Sequence, residues 1–252
     1  MSTIRFASAS KAYPGGVLAL DGVDLTVAEG EFVALLGPSG CGKSTLLNLV
    51  AGFERLTAGR MTFDGQAIGK PGPDRGVVFQ EASLLPWLSV WDNVVFGPLV
   101  QKVPRAVYEP KATEILRQMG LESFHKALPV QLSGGMRQRV GIARALVMQP
   151  RALLMDEPFG ALDAQTRLSM QALLLELWQS LKTTVLFVTH DIDEAILLAD
   201  RVCVMTQRPG RITREIRIEL PRPRSIDTLT SSDFVRYKAD IMAEMRGAHT
   251  DH

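Results

Sequence analysis

Phe32-Val33-Ala34-Leu35-Leu36-Gly37-Pro38-Ser39-Gly40-Cys41-Gly42-Lys43-Ser44-Thr45 is the stretch that decides the fold. Its first five residues are apolar without alternation, the mark of a strand buried on both faces, as in a parallel sheet covered by helices. The nine that follow read Gly, four residues, Gly-Lys-Ser-Thr, and Lys43 opens a helix-like segment that runs to Ala51. Gly37, Gly40 and Gly42 let the backbone curl. Its N–H groups, with Pro38, Ser39 and Cys41 between the glycines, then turn toward one anion at a helix start whose dipole also favours negative charge. Lys43 is placed to reach β- and γ-phosphates, Ser44 to set its hydroxyl on Mg²⁺. A chance glycine-rich turn would not sit between a buried strand and an amphipathic helix. Cys41 reads as a small loop residue, not a redox centre.

Outward from this stretch, three more short apolar runs occur: Gly76–Phe79, Ala152–Met155 and Val185–Val188. Helix-like segments separate them, notably Ser133–Met148, Asp163–Leu181 and Ile192–Ala199. Strand runs alternating with helices of this length argue for an α/β sheet with crossover connections. Ile4–Ser8 and Val23–Val27 read as β, the second alternating apolar and polar at period two. Glu81–Pro150 holds no strand of comparable strength and reads as an inserted helical region, with helices at Ser89–Phe96 and Lys111–Met119. From Arg222 the chain is polar, with an amphipathic helix at Asp233–Arg246. We divide it into a domain over 1–221, with a helical subdomain of about 82–150 inserted, and a tail over 222–252.

The 252 residues are 46% hydrophobic and 22% charged, enough to fill a core and too apolar for disorder. With 28 basic and 27 acidic side chains the net charge is +1, which gives no electrostatic case for nucleic acid as a partner. Two cysteines, Cys41 and Cys203, cannot make a disulfide framework. Met1–Lys11 contains no long apolar core, and no stretch nears the roughly 20 apolar residues that span a bilayer, so a cytosolic chain is expected.

Several carboxylate and amide groups end apolar runs. Asp156 and Glu157 close Ala152–Met155. Asp156 suits a Mg²⁺ ion, directly or through water, and Glu157 suits orienting an attacking water. Gln80 follows Gly76–Phe79, and His190 follows Val185–Thr189. If the strands are parallel, all of these gather at one carboxyl edge, where α/β folds bind ligands. Leu132-Ser133-Gly134-Gly135-Met136 adds a second anion site: Ser133 is a natural N-cap, and the two glycines expose the first N–H groups of the helix behind it.

Over nearly its whole length to about Pro221, the chain resembles the ATP-binding subunits of ATP-binding cassette (ABC) transporters. The resemblance implies a P-loop NTPase fold with a mainly parallel central sheet, an N-terminal antiparallel β subdomain and an inserted helical subdomain. It makes Gly37–Thr45 the Walker A loop, Leu132–Met136 the signature motif, Asp156 the Walker B aspartate and Glu157 the catalytic glutamate. Gln80 becomes the Q-loop glutamine beside the metal, Asp163 the D-loop aspartate and His190 the switch histidine. Tyr13 matches the aromatic that stacks on adenine; the residue pattern alone leaves a core aromatic equally open. Met136 replaces the commoner glutamine, but Ser133, Gly134 and Gly135, which face phosphate, are intact.

Gly72–Gln80, Leu84-Leu85-Pro86-Trp87, Asp92-Asn93-Val94, Leu173–Gln179 and Arg208-Pro209-Gly210 resemble taurine, sulfonate and nitrate import ATPases, the taurine group most nearly. The resemblance implies ATP and Mg²⁺ as cofactors and a head-to-tail homodimer sharing two ATP sites. It further implies a membrane permease docked on the helical subdomain, near Glu81–Leu88, with a periplasmic binding protein acting through it, and a place on the cytoplasmic face of the inner membrane. Aliphatic sulfonate or nitrate import is the alternative. A soluble ABC ATPase working on nucleic acid or the ribosome fits less well, since those usually carry two cassettes or long insertions. A small-molecule kinase leaves Ser133–Gly135, Glu157 and His190 unexplained.

Overall fold

The computed structural model describes residues 3–247. In chain order it begins with β1 (Ile4–Ala12), β2 (Leu18–Val27), β3 (Phe32–Leu36), α1 (Lys43–Ala51), β4 (Ala58–Phe63), β5 (Gln66–Ala67), β6 (Arg75–Val78), α2 (Val90–Val100) and α3 (Arg105–Gln118). It continues with α4 (Gly134–Leu146), β7 (Ala152–Asp156), α5 (Ala164–Leu181), β8 (Thr184–Thr189), α6 (Ile192–Leu198), β9 (Arg201–Met205), β10 (Ile212–Arg217) and α7 (Ser232–Gly247). The chain divides into two compact units, one built from the segments up to Gly72 and from Leu175 onward, the other from Pro73–Leu174.

In the first unit β3 pairs in parallel with both β8 and β9, and β10 joins β9 antiparallel. Every residue of β3 and β8 is buried, which is why neither sequence alternates. A separate antiparallel sheet runs β2-β1-β4-β5, and its β1 and β2 do alternate. Phe32 anchors the packing. Its ring meets Trp178 edge-on at 5.7 Å between centroids and Phe187 at 5.8 Å. Trp178 donates Nε1–H to the Thr183 carbonyl at 2.9 Å and carries the Arg222 guanidinium over its ring at 4.2 Å. Arg222 also bonds Asp200 at 2.7 Å, and the second oxygen of that carboxylate accepts the Phe32 N–H at 3.0 Å.

The polar segment after Pro221 is tied into this unit. Arg224 is buried, and its guanidinium donates to the carbonyls of Ile196 at 2.8 Å, Ala199 at 2.6 Å and Ile218 at 2.8 Å. Two of those carbonyls stand at the C-terminal end of α6, where a cation is favoured. Burial, reinforced by Arg222, lowers the Arg224 pKa to about 10. Lys238 of α7 bonds Asp193 in the first turn of α6 at 2.8 Å.

In the second unit β6 and β7 pair in parallel, with Val78 opposite Met155. Helices α2, α3 and α4 pack on one another around Val90, Val94, Ala112, Leu116, Val140 and Ile142, all buried. Helix boundaries here differ from expectation. α2 runs on to Val100 through Pro98, and α3 begins at Arg105 and passes through Pro110. A proline inside a helix removes one backbone bond; for Pro110 the freed carbonyl belongs to Ala106, and both residues are exposed to water. The strands β4, β9 and β10 were not expected. β9 escapes notice because it follows α6 after only Ala199 and Asp200, without a Gly or Pro break.

Removing the Phe32 ring leaves a cavity against two aromatic neighbours. Phe32→Ala is expected to cost about 3–5 kcal/mol of stability, read from the denaturant midpoint at unchanged m-value.

Candidate active site

Strand register places the first group of candidates. Leu36 lies opposite Thr189 in the β3–β8 pair, so Gly37 and His190 leave neighbouring strands at the same level. Gly40 and Gly42 take left-handed φ of 76° and 97°, which curls the chain into α1. No side chain caps α1, and its first turn carries no acidic residue. Its leading N–H groups are therefore not taken by a capping side chain, the arrangement in which a helix start can receive an anion. Lys43 is buried, and its Nζ donates to the carbonyls of Gly37 at 2.7 Å and Pro38 at 2.9 Å, so the ammonium already lies inside the curl. Burial raises the Cys41 pKa against the pull of Lys43. The group is thus a thiol at neutral pH, consistent with a packing role.

Arg208-Pro209-Gly210 stands directly behind this loop. The Gly210 N–H donates to Ala19 O at 2.9 Å, and a Cβ on Gly210 would lie 2.0 Å from the Cys41 carbonyl. Only a glycine fits against the loop backbone there. The Arg208 guanidinium lies beside Gly40. Tyr13 is half-buried next to the same loop, its hydroxyl 3.4 Å from Thr45 Oγ1.

His190 is exposed and held between two fixed neighbours. Thr189 donates its hydroxyl to Glu194 at 2.7 Å, and Asp191 caps α6 by accepting the N–H groups of Asp193 at 2.8 Å and Glu194 at 3.2 Å. The first unit therefore brings together Tyr13, Gly37–Thr45 and His190 from segments far apart in the chain.

The second unit gathers the rest. Asp156 ends β7, and Glu157 follows with φ of 44°. A left-handed backbone is strained for a glutamate, and such strain is found at functional sites because the surroundings must hold it. The Gln80 and Glu157 side chains converge: a Cβ on Gly160 would lie 3.4 Å from Gln80 Nε2 and 3.9 Å from Glu157 Oε2. Gln80 and Gly134 line one cleft with Pro158 and Leu162. Ser133 caps α4, its hydroxyl accepting the Met136 N–H at 3.2 Å, and Ser133 and Gly134 are exposed. Gly135 is buried for another reason, since a Cβ there would meet Thr166 at 2.5 Å. Asp163 accepts the Thr166 N–H at 3.0 Å, and that bond holds its carboxyl below the ordinary range.

Three residues absent from the sequence reading of the site shape this unit. Gln138 donates to Phe79 O at 3.1 Å, and Arg144 to Ala82 O and Ser83 O, both at 2.8 Å. The segment after Gln80 is thereby tied to α4. Asn93, fully buried, accepts the Leu85 N–H at 2.8 Å and donates to Leu85 O and Leu88 O. The turn it organises presents Trp87, 71% exposed, while Leu84 and Leu85 are half-buried. Asn93, a polar residue within the apolar helix α2, carries an available signal; Gln138 and Arg144 sit in α4 among Arg137 and Arg139 and carry none.

Ser44, Asp156 and Gln80 each offer a hard oxygen. Among the described residues no group of three or more His, Cys, Asp or Glu could hold a metal alone. An ion on Asp156 and Gln80 of the second unit would keep water ligands, the habit of Mg²⁺.

Comparison with known proteins agrees with this geometry. Residues 20–160 match the family model described as ABC transporter. The taurine import ATP-binding protein TauB of Rhizobium johnstonii is 53% identical over 210 residues, 83% of this chain and 80% of that protein. The nitrate import ATP-binding protein NrtD of Synechocystis sp. is 44% identical over 243 residues, 94% of this chain and 91% of that protein. Among solved structures, a dimeric post-hydrolysis state of the ATP-binding cassette MJ0796 bound to ADP and Pi superposes with a TM-score of 0.74 at 34% identity, over 86% of this chain and all of that one.

Gly210→Ala would force its methyl into the Cys41 carbonyl. Both the melting temperature and nucleotide affinity are expected to fall together. Gly65→Ala, where a Cβ meets nothing within 4 Å, should lower only the former and modestly; differential scanning fluorimetry with and without nucleotide separates the two.

Proposed function

The chain belongs to the ABC transporter family, and on that footing we propose that it is the ATP-hydrolysing subunit of a membrane importer for taurine or a related sulfonate. The observation that carries this reading is the presence of two phosphate-ready helix starts on one polypeptide: the uncapped α1 behind Gly37–Thr45, and α4 behind Ser133–Gly135. One copy needs only one of them per nucleotide. A head-to-tail pair of copies uses both, with ATP on Lys43 and Ser44 of one closed over by Ser133 and Gly135 of the other, and two-fold symmetry makes the two sites alike.

The residues then take distinct tasks. The N–H groups of Gly40–Thr45 and the Lys43 ammonium hold the β- and γ-phosphates. Mg²⁺, when held by Ser44 and Asp156 with Gln80, neutralises charge on the phosphate oxygens. Glu157 accepts a hydrogen bond from the attacking water and aims it, its orientation fixed by the strained backbone. His190 donates toward the γ-phosphate, and Asp163 holds the start of α5. The terminal phosphate supplies the charge that α4 of the second copy binds, so its loss releases the pair.

Gln80 and α4 lead to the permease. Gln138, Arg144 and Asn93 join them to the loop that presents Trp87, the surface we assign to the permease, through which a periplasmic binding protein acts. Among the described residues no helix is long and apolar enough to cross a membrane. By likeness to the import ATP-binding proteins named above, we place the subunit at the cytoplasmic face of the inner membrane, held by its permease. The assignment to taurine or sulfonate draws on the relatives named above. In vesicles carrying this subunit and its permease, a taurine-loaded binding protein should raise ATP hydrolysis. No rise with taurine, but one with nitrate, would move the solute to the other group.

Glu157→Gln is expected to lower kcat by about 100-fold or more while MgATP still binds and dimerises the protein, as seen by calorimetry and light scattering. Ser133→Arg should retain nucleotide affinity in the monomer and abolish the ATP-dependent dimer; a normal dimer would remove Ser133 from the shared site.

A further inference from the structure

The family resemblance matches Tyr13 to the aromatic that stacks on adenine, yet the backbone bonds of the turn it opens do not reach the ring. It starts the turn Tyr13–Val17, closed by the Tyr13 N–H on Val17 O at 2.9 Å, and its two glycines, Gly15 and Gly16, have φ of 94° and 82°. A stacking ring gains most affinity when it is held before the base arrives, because otherwise each binding event must order it.

Lys11 answers this. It is one of the few buried charged residues, and its ammonium lies over the Tyr13 ring, 4.8 Å from the centroid. The ammonium is itself fixed from the far side, donating to Glu54 Oε2 at 2.7 Å and to the Arg55 carbonyl at 3.0 Å. Glu54 and Arg55 lie just beyond α1, the helix whose other end is the phosphate loop. Thr57 completes the seam: its hydroxyl accepts the Ala12 N–H at 2.9 Å, and its own N–H donates to Ser10 O at 2.9 Å. The Tyr13 ring is thus pinned at two places, its hydroxyl beside Thr45 at the start of α1 and its face on an ammonium anchored past the end of α1.

We propose that Lys11 is a positioning and specificity residue for adenine nucleotides, holding the Tyr13 ring at a fixed distance from the phosphate loop and drawing electron density from the ring. One face is taken by the cation; the other offers an electron-poor surface to the electron-rich purine. The inference rests on Tyr13 meeting adenine. It adds that this contact depends on a buried cation that touches no part of the nucleotide.

Titration calorimetry with two probes tests it, MgATP and magnesium tripolyphosphate, which carries the phosphates without the base. Lys11→Met is expected to weaken MgATP by about 2- to 30-fold, leave tripolyphosphate unchanged, and raise KM for ATP at constant kcat. Lys11→Arg, which keeps a cation over the ring, should recover most of the affinity. Should Lys11→Met fail to fold with the Glu54 carboxylate left alone, Lys11→Met/Glu54→Gln gives the same readout. Equal loss of both probes would overturn the proposal by showing that Lys11 acts on the phosphate loop through α1. Unchanged MgATP binding in Lys11→Met beside a clear loss in Tyr13→Ala would overturn it while keeping Tyr13 on the base. Unchanged binding in Tyr13→Ala would remove the adenine contact itself, and the proposal with it.

Discussion

In the proposed site phosphate is met chiefly by backbone, and backbone donors are useful only where the chain is held open for them. Hydrogen bonds inside regular structure satisfy nearly every buried N–H. A site that offers backbone donors to a ligand must therefore keep side chains from capping them. α1 achieves this by starting at a glycine with no side-chain cap and no acid in its first turn. The curl is then kept from collapsing by contacts behind it, Gly210 against the Cys41 carbonyl and Lys43 across the carbonyls of Gly37 and Pro38. The loop depends on a neighbour as much as on its own glycines.

Parallel pairing gives the second ingredient, a common level at which strands end. With Leu36 opposite Thr189 in one unit and Val78 opposite Met155 in the other, the residues that follow each strand emerge beside one another. A strand buried on both faces has no room for a charge along its length, so chemistry collects at its end. Glu157 shows the cost, since its backbone departs from the strand directly into a conformation that glutamate disfavours.

That arrangement also explains what could be read from residues alone. Phe32–Thr45, Ala152–Glu157 and Ser133–Gly135 are local signals, in which strand, turn and cap lie within a few residues of each other. Gln80 and His190 stand out as candidates because they sit directly after apolar runs. The strands β4, β5 and β10 escape notice because they are largely exposed and carry few apolar residues, and β9 because it follows α6 without a break. Asn93 enters the sequence reading only as part of a family likeness, and Gln138, Arg144 and Lys11 not as site residues, for a different reason: their meaning lies in partners 4 to 62 positions away, which no spacing rule encodes. For Tyr13 the residues left two options open. The structure places the ring at the rim of the phosphate loop, outside the core.

One contact outside the nucleotide region extends this logic. Arg224 plugs the end of α6 while the other end begins two residues after His190. A helix of seven residues has almost no stability of its own. Its bearing, and with it the histidine's, is borrowed from the last part of the chain, much as a rudder takes its angle from the tiller. Anything fused to or pulling on that terminus steers the same lever without approaching a phosphate.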